Sequence, residues 1–303
     1  YEANLAMNKC DLMINVGARF DDRVTGRLDA FSPDSVKFHI DIDQSSINKN
    51  VKVDFHTNTD ITQTLKEINS FIESNNIELE KKDYTNWWGQ INDWRKKECL
   101  HYEQGEEIIK PQHAISRLYD LTTQKDTFIT TEVGQHQMWA AQYYKFSKPN
   151  RWITSGGLGT MGFGMPAAVG AQMANPDSLV IDIAGEASFL MNIQEIATAV
   201  QYKLPIKIFI LNNEYMGMVR QWQELLHGSR YSESYVDALP DFKKLAESFN
   251  AVGVRAKNVS ELDDAINEMV SIDRPVIADI WVDKKENCFP MIPSGAAHHE
   301  MLL

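Results

Sequence analysis

Two short polar segments, a glycine–acid pair and an asparagine pair, are the residues of this chain best suited to chemistry. Gly185-Glu186 follows the apolar run 178–184, and Asn212-Asn213 follows the apolar run 206–211. Each segment therefore stands where a β-strand should end. Residues 192–203 have helical character. The pattern predicts two parallel strands joined by a helix in a right-handed crossover.

The predicted β-α-β unit brings the side chains at its two strand ends together. Because parallel neighbours end at the same edge of a sheet, Glu186 and Asn213 should lie close to each other. Ligands bind in the crevice at this edge of open α/β sheets. A carboxylate, an amide oxygen and a nearby main-chain carbonyl form an all-oxygen set that suits Mg²⁺, which usually fills its other positions with water and substrate phosphates.

Composition and charge argue against several classes of protein. The 303 residues suffice for two domains. The net charge of −12 argues against nucleic acid or an anionic membrane as the main partner. No apolar run reaches the length of about 18 residues that a membrane span needs. Three widely separated cysteines, Cys10, Cys99 and Cys288, indicate reduced thiols. We expect a cytoplasmic protein, or a plastid protein in a photosynthetic eukaryote.

Residues 1–75 have the pattern of an alternating α/β domain. We predict a buried strand at 12–16, a second strand at 37–42 and an amphipathic helix at 61–72. The chain starts at Tyr1 rather than Met and runs early into an apolar strand. We therefore expect a fragment that begins inside a domain.

Residues 76–110 are polar and charged, and we predict an interdomain linker that carries one helix. Three tryptophans stand in it, Trp87, Trp88 and Trp94. They could dock on a neighbouring domain, but core packing of the helix is the preferred interpretation for all three.

The sequence pattern of residues 111–303 predicts a second α/β domain. Pro111 is favourable at the first position of a helix, and strands and helices alternate from there to the end of the chain. Alternation of this kind indicates a parallel sheet with helices on both faces. The predicted fold class is therefore α/β throughout.

A glycine-rich segment in this domain could be mistaken for a nicotinamide site. The run from Gly157 to Gly162 matches G-x-G-x-x-G, and Asp182 follows at about the distance expected of a ribose-binding acid. However, Asp182 lies inside an apolar run rather than at a strand end, and the strand before the glycines, 152–154, is short. We predict a loop that approaches some cofactor closely, but not a nicotinamide.

The spacing of Glu186 and Asn213 resembles the thiamine-diphosphate motif, Gly-Asp-Gly followed about two dozen residues later by Asn-Asn. Four longer segments are similar to the catalytic large subunit of acetohydroxyacid synthase, also called acetolactate synthase. They are 17–26 (GARFDDRVTG), 134–142 (GQHQMWAAQ), 155–164 (SGGLGTMGFG) and 212–222 (NNEYMGMVRQW). This resemblance covers essentially the whole chain. One departure is Glu186, where the family has Asp.

The resemblance implies three α/β domains in the complete protein. This chain would hold the latter part of a Rossmann-like middle domain that binds FAD (1–75), a linker with a helix (76–110), and all of the parallel-sheet domain that binds thiamine diphosphate (111–303). The domain that supplies the glutamate activating the cofactor would be absent, so the chain alone is expected to be inactive.

The resemblance also implies a reaction and partners. The family joins pyruvate to a second 2-keto acid, either pyruvate or 2-ketobutyrate, with loss of CO₂, at the start of branched-chain amino-acid synthesis. It uses thiamine diphosphate, Mg²⁺ and FAD. Its catalytic subunits form homodimers or tetramers with shared active sites, and a regulatory small subunit carries feedback inhibition.

The cofactor residues follow from the same resemblance. Glu186 and Asn213 would bind Mg²⁺ through their side chains, and Tyr215 through its carbonyl. The residues expected around the thiamine diphosphate are Gln135, His136, Gly159, Met161, Gly185, Ala187, Ser188, Gly217 and Met218. Without the surrounding motif, His136 would be interpreted as a solvated loop histidine.

Three residues would act on the substrates or on the cofactor rings. Met161 would be an apolar wedge beneath the cofactor. Arg23 would hold the carboxylate of the second keto acid, since a guanidinium fork suits a carboxylate, although pairing with Asp21 or Asp22 is an open alternative. Trp222 would pack against the extra methyl group of 2-ketobutyrate.

FAD, which is structural in the main reaction of the family, would contact Gly17, Arg19, Asp41, Asp43 and Asp60. The last is the least certain contact, because the family Gly-Asp is Thr-Asp here.

Other hypotheses stay open. A sister thiamine-diphosphate enzyme, such as a pyruvate oxidase or a glyoxylate carboligase, would keep the metal motif. A non-catalytic fragment could fold or bind the magnesium–diphosphate group without turnover. Near the end of the chain, His298-His299-Glu300 is similar to a metal cluster, but we expect a solvated tail.

Overall fold

A computed structural model describes residues 1–78 and 80–303, which form two compact units. The first comprises Tyr1–His101 together with Phe289–Leu303, and the second comprises Tyr102–Cys288. Among the described residues, no helix is both long and apolar enough to cross a membrane. The three cysteines are free thiols, as expected.

The first unit contains a small parallel sheet in the order β1-β2-β3. Its strands are β1 (Leu12–Val16), β2 (Val36–Ile40) and β3 (Phe55–Thr57). Its helices are α1 (Glu2–Lys9), α2 (Asp22–Thr25), α3 (Ile61–Ser74) and α4 (Thr85–Arg95), with 3-10 turns at Leu28–Ala30, Gln44–Ser46 and His298–Glu300. The sequence predicted β1, β2 and α3 with similar bounds, but it did not predict α1 or β3.

The prediction that the 12–16 strand is buried was wrong. The side chains of Leu12 and Ile14 are 53% and 58% exposed. β1 lies at the edge of the sheet, and its opposite face, at Met13, packs against a small cluster around Phe20 and Phe31. Within this unit, the strand is therefore covered on one face.

Two further expectations about the first unit need correction. Trp88 is exposed, so it does not pack in the core, whereas Trp87 and Trp94 are partly buried and meet edge to face with ring centroids 5.8 Å apart. His298 is not part of a solvated tail. It is buried, its Nε2 lies 2.7 Å from the Val24 carbonyl, and its ring packs edge to face on Phe31. These are long-range contacts that local polarity does not reveal.

The second unit is built on a six-stranded, wholly parallel sheet in the order β5-β4-β6-β7-β9-β8. The strands are β4 (Thr127–Thr131), β5 (Trp152–Thr154), β6 (Leu179–Ala184), β7 (Lys207–Asn212), β8 (Val252–Ala256) and β9 (Val276–Trp281). The helices are α5 (Pro111–Thr122), α6 (Gln135–Tyr143), α7 (Gly164–Ala174), α8 (Glu186–Phe189), α9 (Glu195–Gln201), α10 (Gly217–Leu226), α11 (Phe242–Ser248) and α12 (Val259–Ser271), with a 3-10 turn at Leu190–Asn192.

Helices cover both faces of this sheet, which confirms the predicted α/β class. Successive strand residues point to opposite faces. Ile129, for example, joins the hydrophobic core shared with α5, α6 and α12. Its neighbour Phe128 joins the core shared with α7, α9 and α11. Because both faces are buried, the central strands β6, β7 and β9 are largely apolar.

The sheet contains a topological switch point between β4 and β6. The chain leaves β4 into α6 on one face, and it leaves β6 towards α9 on the other. A crevice opens at the carboxyl ends of strands where such a reversal occurs. Gln135 follows β4 and Glu186 follows β6, so the switch point lies between two of the predicted site segments.

Asp182 lies inside β6, as the sequence predicted, and it is fully buried there. Its Oδ1 accepts a hydrogen bond from Thr130 Oγ1 at 3.0 Å. An acid in this position cannot bind a ribose, which supports the rejection of the nicotinamide interpretation.

Lys207, the first residue of β7, is buried, and its ammonium group donates to the carbonyls of Ile272 and Arg274. Burial lowers the pKa of Lys207 from its ordinary value of 10.5 to about 8. Above that pH the folded protein holds fewer protons at this site than the unfolded chain. Stability from this group therefore rises between pH 8 and 10.5.

We predict that Lys207→Met removes this pH dependence. Relative to the wild type, the variant should lose a rise of roughly 3 kcal/mol in the free energy of unfolding across this pH range. Urea denaturation at pH 8 and pH 10 measures the difference. The exposed Lys244→Met is the control and should keep the wild-type rise. Equal pH slopes for the wild type and Lys207→Met would contradict the assignment.

Candidate functional site

A pocket with about 500 Å³ of empty space, part of it open to solvent, lies at the switch point of the second unit. Eleven of the residues that the sequence singled out line it. They are Gln135, His136, Met161, Gly185, Glu186, Ala187, Ser188, Asn213, Tyr215, Gly217 and Met218. Val133, Trp139 and Leu211 contribute apolar walls. The loops after β4, β5, β6 and β7 all supply residues, because parallel strands end at the same edge.

Glu186 and Asn213 converge on one main-chain group. The N–H of Tyr215 donates to Glu186 Oε1 at 2.9 Å and to Asn213 Oδ1 at 3.1 Å. The turn between them places Glu214 at a φ of 57°, the left-handed region that a non-glycine residue adopts in tight turns. The predicted proximity of these two side chains is therefore confirmed.

Within the described residues, no lysine or arginine forms an ion pair with the Glu186 carboxyl group. Burial raises the pKa of Glu186 to about 8, and the negative charge of Asp279 adds to the effect. An ionised carboxylate in this position would be stabilised by a cation, which would lower its pKa. Together with the amide oxygen of Asn213, it forms a hard oxygen donor set that fits a magnesium ion.

His136 is buried in the pocket wall and is not the solvated loop histidine that its local sequence alone suggests. Burial lowers the pKa of His136 to about 3, so the imidazole is neutral at all physiological pH values. Its Nε2 has no hydrogen-bond partner within the described part of the chain. A buried polar atom of this kind is normally paired, so the site has room for a polar group of a ligand.

Glycine provides the space for this histidine. A Cβ atom at Gly185 would lie 2.5 Å from His136 Nδ1, and one at Gly134 would lie 2.7 Å from its Cε1. Both distances are too short for real atoms. Any side chain at these positions would therefore displace the imidazole.

Gln135 is held by a buried network. Its Nε2 donates to Gln221 Oε1 at 2.8 Å and to the Glu286 carbonyl at 3.1 Å. Gln221 also accepts from the N–H of Cys288 at 2.8 Å. The network leaves Gln135 Oε1 directed towards Asn213 Nδ2, at 3.4 Å. Gln135 opens α6, a helix that the sequence did not predict.

Two buried polar residues of this region were not singled out from the sequence. Gln221 could have been found because it lies one helical turn after Gly217 and shares its face of α10. Glu132 directly follows β4, and Glu186 likewise stands just beyond the end of β6.

Gly159 and Trp222, although they belong to the same unit, do not line this pocket. Gly159 has a φ of 64° in the glycine-rich loop, a conformation that favours glycine. The side chain of Trp222 lies on α10 and is 39% exposed. Their predicted roles stay predictions.

In the first unit, the predicted residues follow the ends of β1 and β2. Gly17 has a φ of 65°, and its N–H donates to the Ile40 carbonyl at 2.8 Å. Asp41 is buried 3.5 Å from the His39 ring. Arg19 is exposed and pairs with Asp21 at 2.7 Å. These positions stay candidates for a cofactor site.

Two of the predicted acidic residues cap a turn and a helix in the first unit. Asp43 accepts from the Ser45 N–H at 2.9 Å and caps the turn at Gln44–Ser46. Asp60 accepts from the Gln63 N–H at 3.0 Å and caps α3. Arg23 is 77% exposed, and its guanidinium lies 3.6 Å from Asp22, so the surface ion pair that the sequence allowed is present.

Residues 132–280 match the family described as the C-terminal TPP binding domain of thiamine pyrophosphate enzymes, and residues 1–68 match their central domain. Thiamine pyrophosphate is thiamine diphosphate by another name. The chain belongs to the thiamine pyrophosphate enzymes.

Within that family, the chain is homologous to acetolactate synthase large subunits. It is 44% identical to the acetolactate synthase isozyme 3 large subunit of Escherichia coli, with 100% of this chain and 53% of the relative covered. It is 43% identical to the acetolactate synthase large subunit of Haemophilus influenzae, covering 100% and 52%. The acetolactate synthase large subunit of Cyanidium caldarium is 42% identical, covering 99% and 51%. The chain thus spans about half the length of the curated relatives it matches.

We predict that Gly217→Ala destabilises the second unit, because its Cβ would lie 2.0 Å from Gln135 Oε1 and 2.9 Å from Asn213 Nδ2. Gln135 cannot move away freely, since Gln221 and Glu286 hold it. The free energy of unfolding should fall by about 1–3 kcal/mol, as for other overpacked sites, and urea denaturation measures it.

The matched control is Gly170→Ala, in α7, where a Cβ meets no atom within 4 Å. Alanine should raise the stability of this exposed helical position by up to about 1 kcal/mol. If both variants changed stability alike, the packing argument at Gly217 would be wrong.

Proposed function

We propose that the protein containing this chain is an acetolactate synthase. It would decarboxylate pyruvate and join the remaining two-carbon unit to a second 2-keto acid. Two pyruvates would give 2-acetolactate and CO₂, and pyruvate with 2-ketobutyrate would give 2-aceto-2-hydroxybutyrate and CO₂. The convergence of Glu186 and Asn213 at the edge of a pocket lined by the loops of parallel strands carries the proposal, and the relatives named above support the reaction.

We propose that Mg²⁺ binds to the side chains of Glu186 and Asn213 and to the carbonyl of Tyr215. The burial of Glu186 and its raised pKa support a cation partner. The chain has glutamate where the family has aspartate. The side chain is longer by one methylene group, but it is equally a hard oxygen ligand.

The proposed cofactor, thiamine diphosphate, would supply the carbanion chemistry when bound, and the protein would supply placement and electrostatics. Gln135, neutral His136 and the main chain at Gly217 and Met218 are proposed to contact its diphosphate group. The main-chain N–H groups of Ala187 and Ser188, and the wall at Gly185, would complete that end of the site.

Three residues are proposed to act on the organic part of the site. Met161 is proposed as an apolar wedge, because it lines the pocket from the glycine-rich loop, where Gly159 would leave room for a ring. Arg23 is proposed to bind the carboxylate of the second keto acid, and its exposure leaves the guanidinium fork available. Trp222 is proposed to contact the side chain of that keto acid.

We propose FAD as a structural cofactor of the first unit, near Gly17, Arg19, Asp41, Asp43 and Asp60. The sharp turn at Gly17, directly after β1, suits close approach of a ligand to the main chain. The caps made by Asp43 and Asp60 leave fewer of their oxygen lone pairs for such a ligand.

The proposed assembly also follows the family. The relatives are named large subunits, which supports a small regulatory partner. Catalytic subunits would form a homodimer or a tetramer with shared active sites. Since the chain corresponds to about half of its relatives, we expect it to be inactive by itself. The cytoplasm, or the plastid in a photosynthetic eukaryote, is the proposed location.

The test of function uses the complete reading frame, incubated with pyruvate, thiamine diphosphate, Mg²⁺ and FAD. We expect 2-acetolactate that disappears when thiamine diphosphate or Mg²⁺ is omitted. Glu186→Gln should abolish Mg²⁺-dependent cofactor binding, measured by titration calorimetry, because the amide is a poorer and uncharged ligand. Glu186→Asp, the family residue, should retain it.

The outcomes separate the alternatives. Acetaldehyde or acetate in place of acetolactate would indicate a sister decarboxylase or oxidase. Cofactor binding without consumption of pyruvate would favour a binding protein. Folded protein that binds no cofactor at any Mg²⁺ concentration would refute the proposal.

The proposed specificity predicts that Trp222→Ala loses the preference for 2-ketobutyrate over pyruvate but keeps turnover. One methyl group in an apolar pocket contributes about 1–3 kcal/mol, so the preference should fall by about ten-fold or more. Product ratios from mixed substrates measure it. Trp281→Ala, a partly exposed tryptophan on β9, is the control. Unchanged ratios in Trp222→Ala would remove this residue from the substrate site.

A further inference from the structure

Glu132 is a buried acidic residue next to residues that line the pocket. It follows β4, its side chain is fully buried, and its N–H donates to the Ile183 carbonyl of β6 at 3.0 Å. The carboxylate Oε2 accepts from the Gly162 N–H at 2.7 Å and from Ser188 Oγ at 2.7 Å. Oε1 accepts from the Met165 N–H at 3.0 Å. One carboxylate therefore joins the segments that follow three neighbouring strands, β4, β5 and β6.

The carboxylate also completes the start of α7. Phe163, the N-cap residue of this helix, gives no side-chain cap. The first N–H groups of a helix have no partner within the helix and attract negative charge. Glu132, which follows a different strand, supplies an acidic side chain that accepts a hydrogen bond from the N–H of Met165 in the first turn. This interaction anchors the end of the glycine-rich loop, so that loop cannot shift without breaking a buried hydrogen bond.

The Ser188 hydroxyl is fully engaged in the same network. It donates to Glu132 and accepts from the N–H groups of Val133, at 3.3 Å, and Gly162, at 3.2 Å. The hydroxyl is thus directed towards Glu132. Ser188 would therefore contact a ligand in the pocket only through its main chain. Ser188 stands two residues after Glu186, while Gly162 directly follows Met161.

We propose that Glu132 is a positioning residue that holds the Met161 loop in register with the segment Glu186–Ser188. The inference rests on the proposed function. The ring-side part of the thiamine diphosphate site is carried by the Met161 loop, and the metal and diphosphate part by the segment after β6. Glu132 contacts both, and it sets the distance between them without contacting the ligand.

Glu132→Gln is the variant that tests the inference, in the protein expressed from the complete reading frame. Glutamine keeps the size, but its amide N–H groups face donors where the carboxylate accepted. Titration calorimetry would measure the affinity for thiamine diphosphate with Mg²⁺ and, separately, for inorganic diphosphate with Mg²⁺. Loss of these buried hydrogen bonds, which leaves buried donors unpaired, should weaken thiamine diphosphate binding about ten-fold or more, with a smaller effect on inorganic diphosphate.

A double-mutant cycle with Met161→Ala distinguishes positioning from a general structural role. If Glu132 acts through Met161, Glu132→Gln should weaken binding by no more than about three-fold in the Met161→Ala background, since effects that share one route do not add. Equal fold-changes in both backgrounds, or equal weakening of inorganic diphosphate, would overturn the inference.

Two further variants keep the test decisive. If Glu132→Gln does not fold, Ser188→Ala removes one arm of the network, keeps the main-chain N–H, and should show the same coupling with Met161→Ala in weaker form. Lys207→Met is the control for the loss of a buried charged group, because Lys207 lies at the start of β7 and donates to the carbonyls of Ile272 and Arg274, not to the loop. It should bind thiamine diphosphate like the wild type, and a loss equal to that of Glu132→Gln would contradict the inference. A wild-type protein that binds no thiamine diphosphate would refute the proposed function, and the inference with it.

Discussion

Burial of acidic side chains at one edge of a parallel sheet is the constraint on which the rest of this site depends. Moving a carboxylate out of water is costly unless hydrogen bonds or charges replace the water. Glu132 and Glu186 follow neighbouring strands and are both buried, yet their environments differ. Glu132 accepts from two main-chain N–H groups and a hydroxyl. Glu186 accepts from the N–H of Tyr215 and faces the pocket. The first carboxyl group joins neighbouring segments of the protein, and the second lines the pocket.

The two asparagines of the pair also differ in what their side chains contact. Asn212, the last residue of β7, donates from Nδ2 to Asp279 Oδ1 at 2.9 Å, and Arg255 pairs with the other oxygen of that carboxylate at 2.9 Å. Asn213 is one residue further on and lines the pocket. Because adjacent residues of an extended chain point in opposite directions, one amide bonds to a neighbouring strand and the other lines the pocket.

The sequence was sufficient to predict the parts of the structure that follow from periodicity and strand polarity. Largely apolar runs located β6, β7 and β9, and the rule that parallel strands end together brought Glu186 to Asn213. The sequence pattern alone did not predict which polar side chains from distant segments lie in contact. The hydrogen bond from Gln135 to Gln221 joins two helices that begin after different strands, and the first of them, α6, has no amphipathic pattern in its sequence.

Exposure was harder to predict than secondary structure, because it depends on which elements cover a strand or a loop. Ile14 is apolar and lies in a strand, but one face of that strand is uncovered within its unit. His298 is followed by the polar residues His299 and Glu300, yet it is buried against Phe31. In both cases the local pattern gave the wrong burial, since the deciding contacts come from residues far away in the sequence.

The glycines of the site show how its motifs depend on one another. Gly185 has ordinary extended angles, with φ −103° and ψ 148°, so no unusual backbone conformation requires glycine there. It is required because His136, from the loop after β4, fills the place where a side chain would stand. At Gly217, likewise, Gln135 fills the place where a side chain would stand. Gln135-His136 and the two glycines are therefore one packing unit, assembled from three strand ends. These pocket-lining groups can lie so close together only because two of the positions between them carry no side chain.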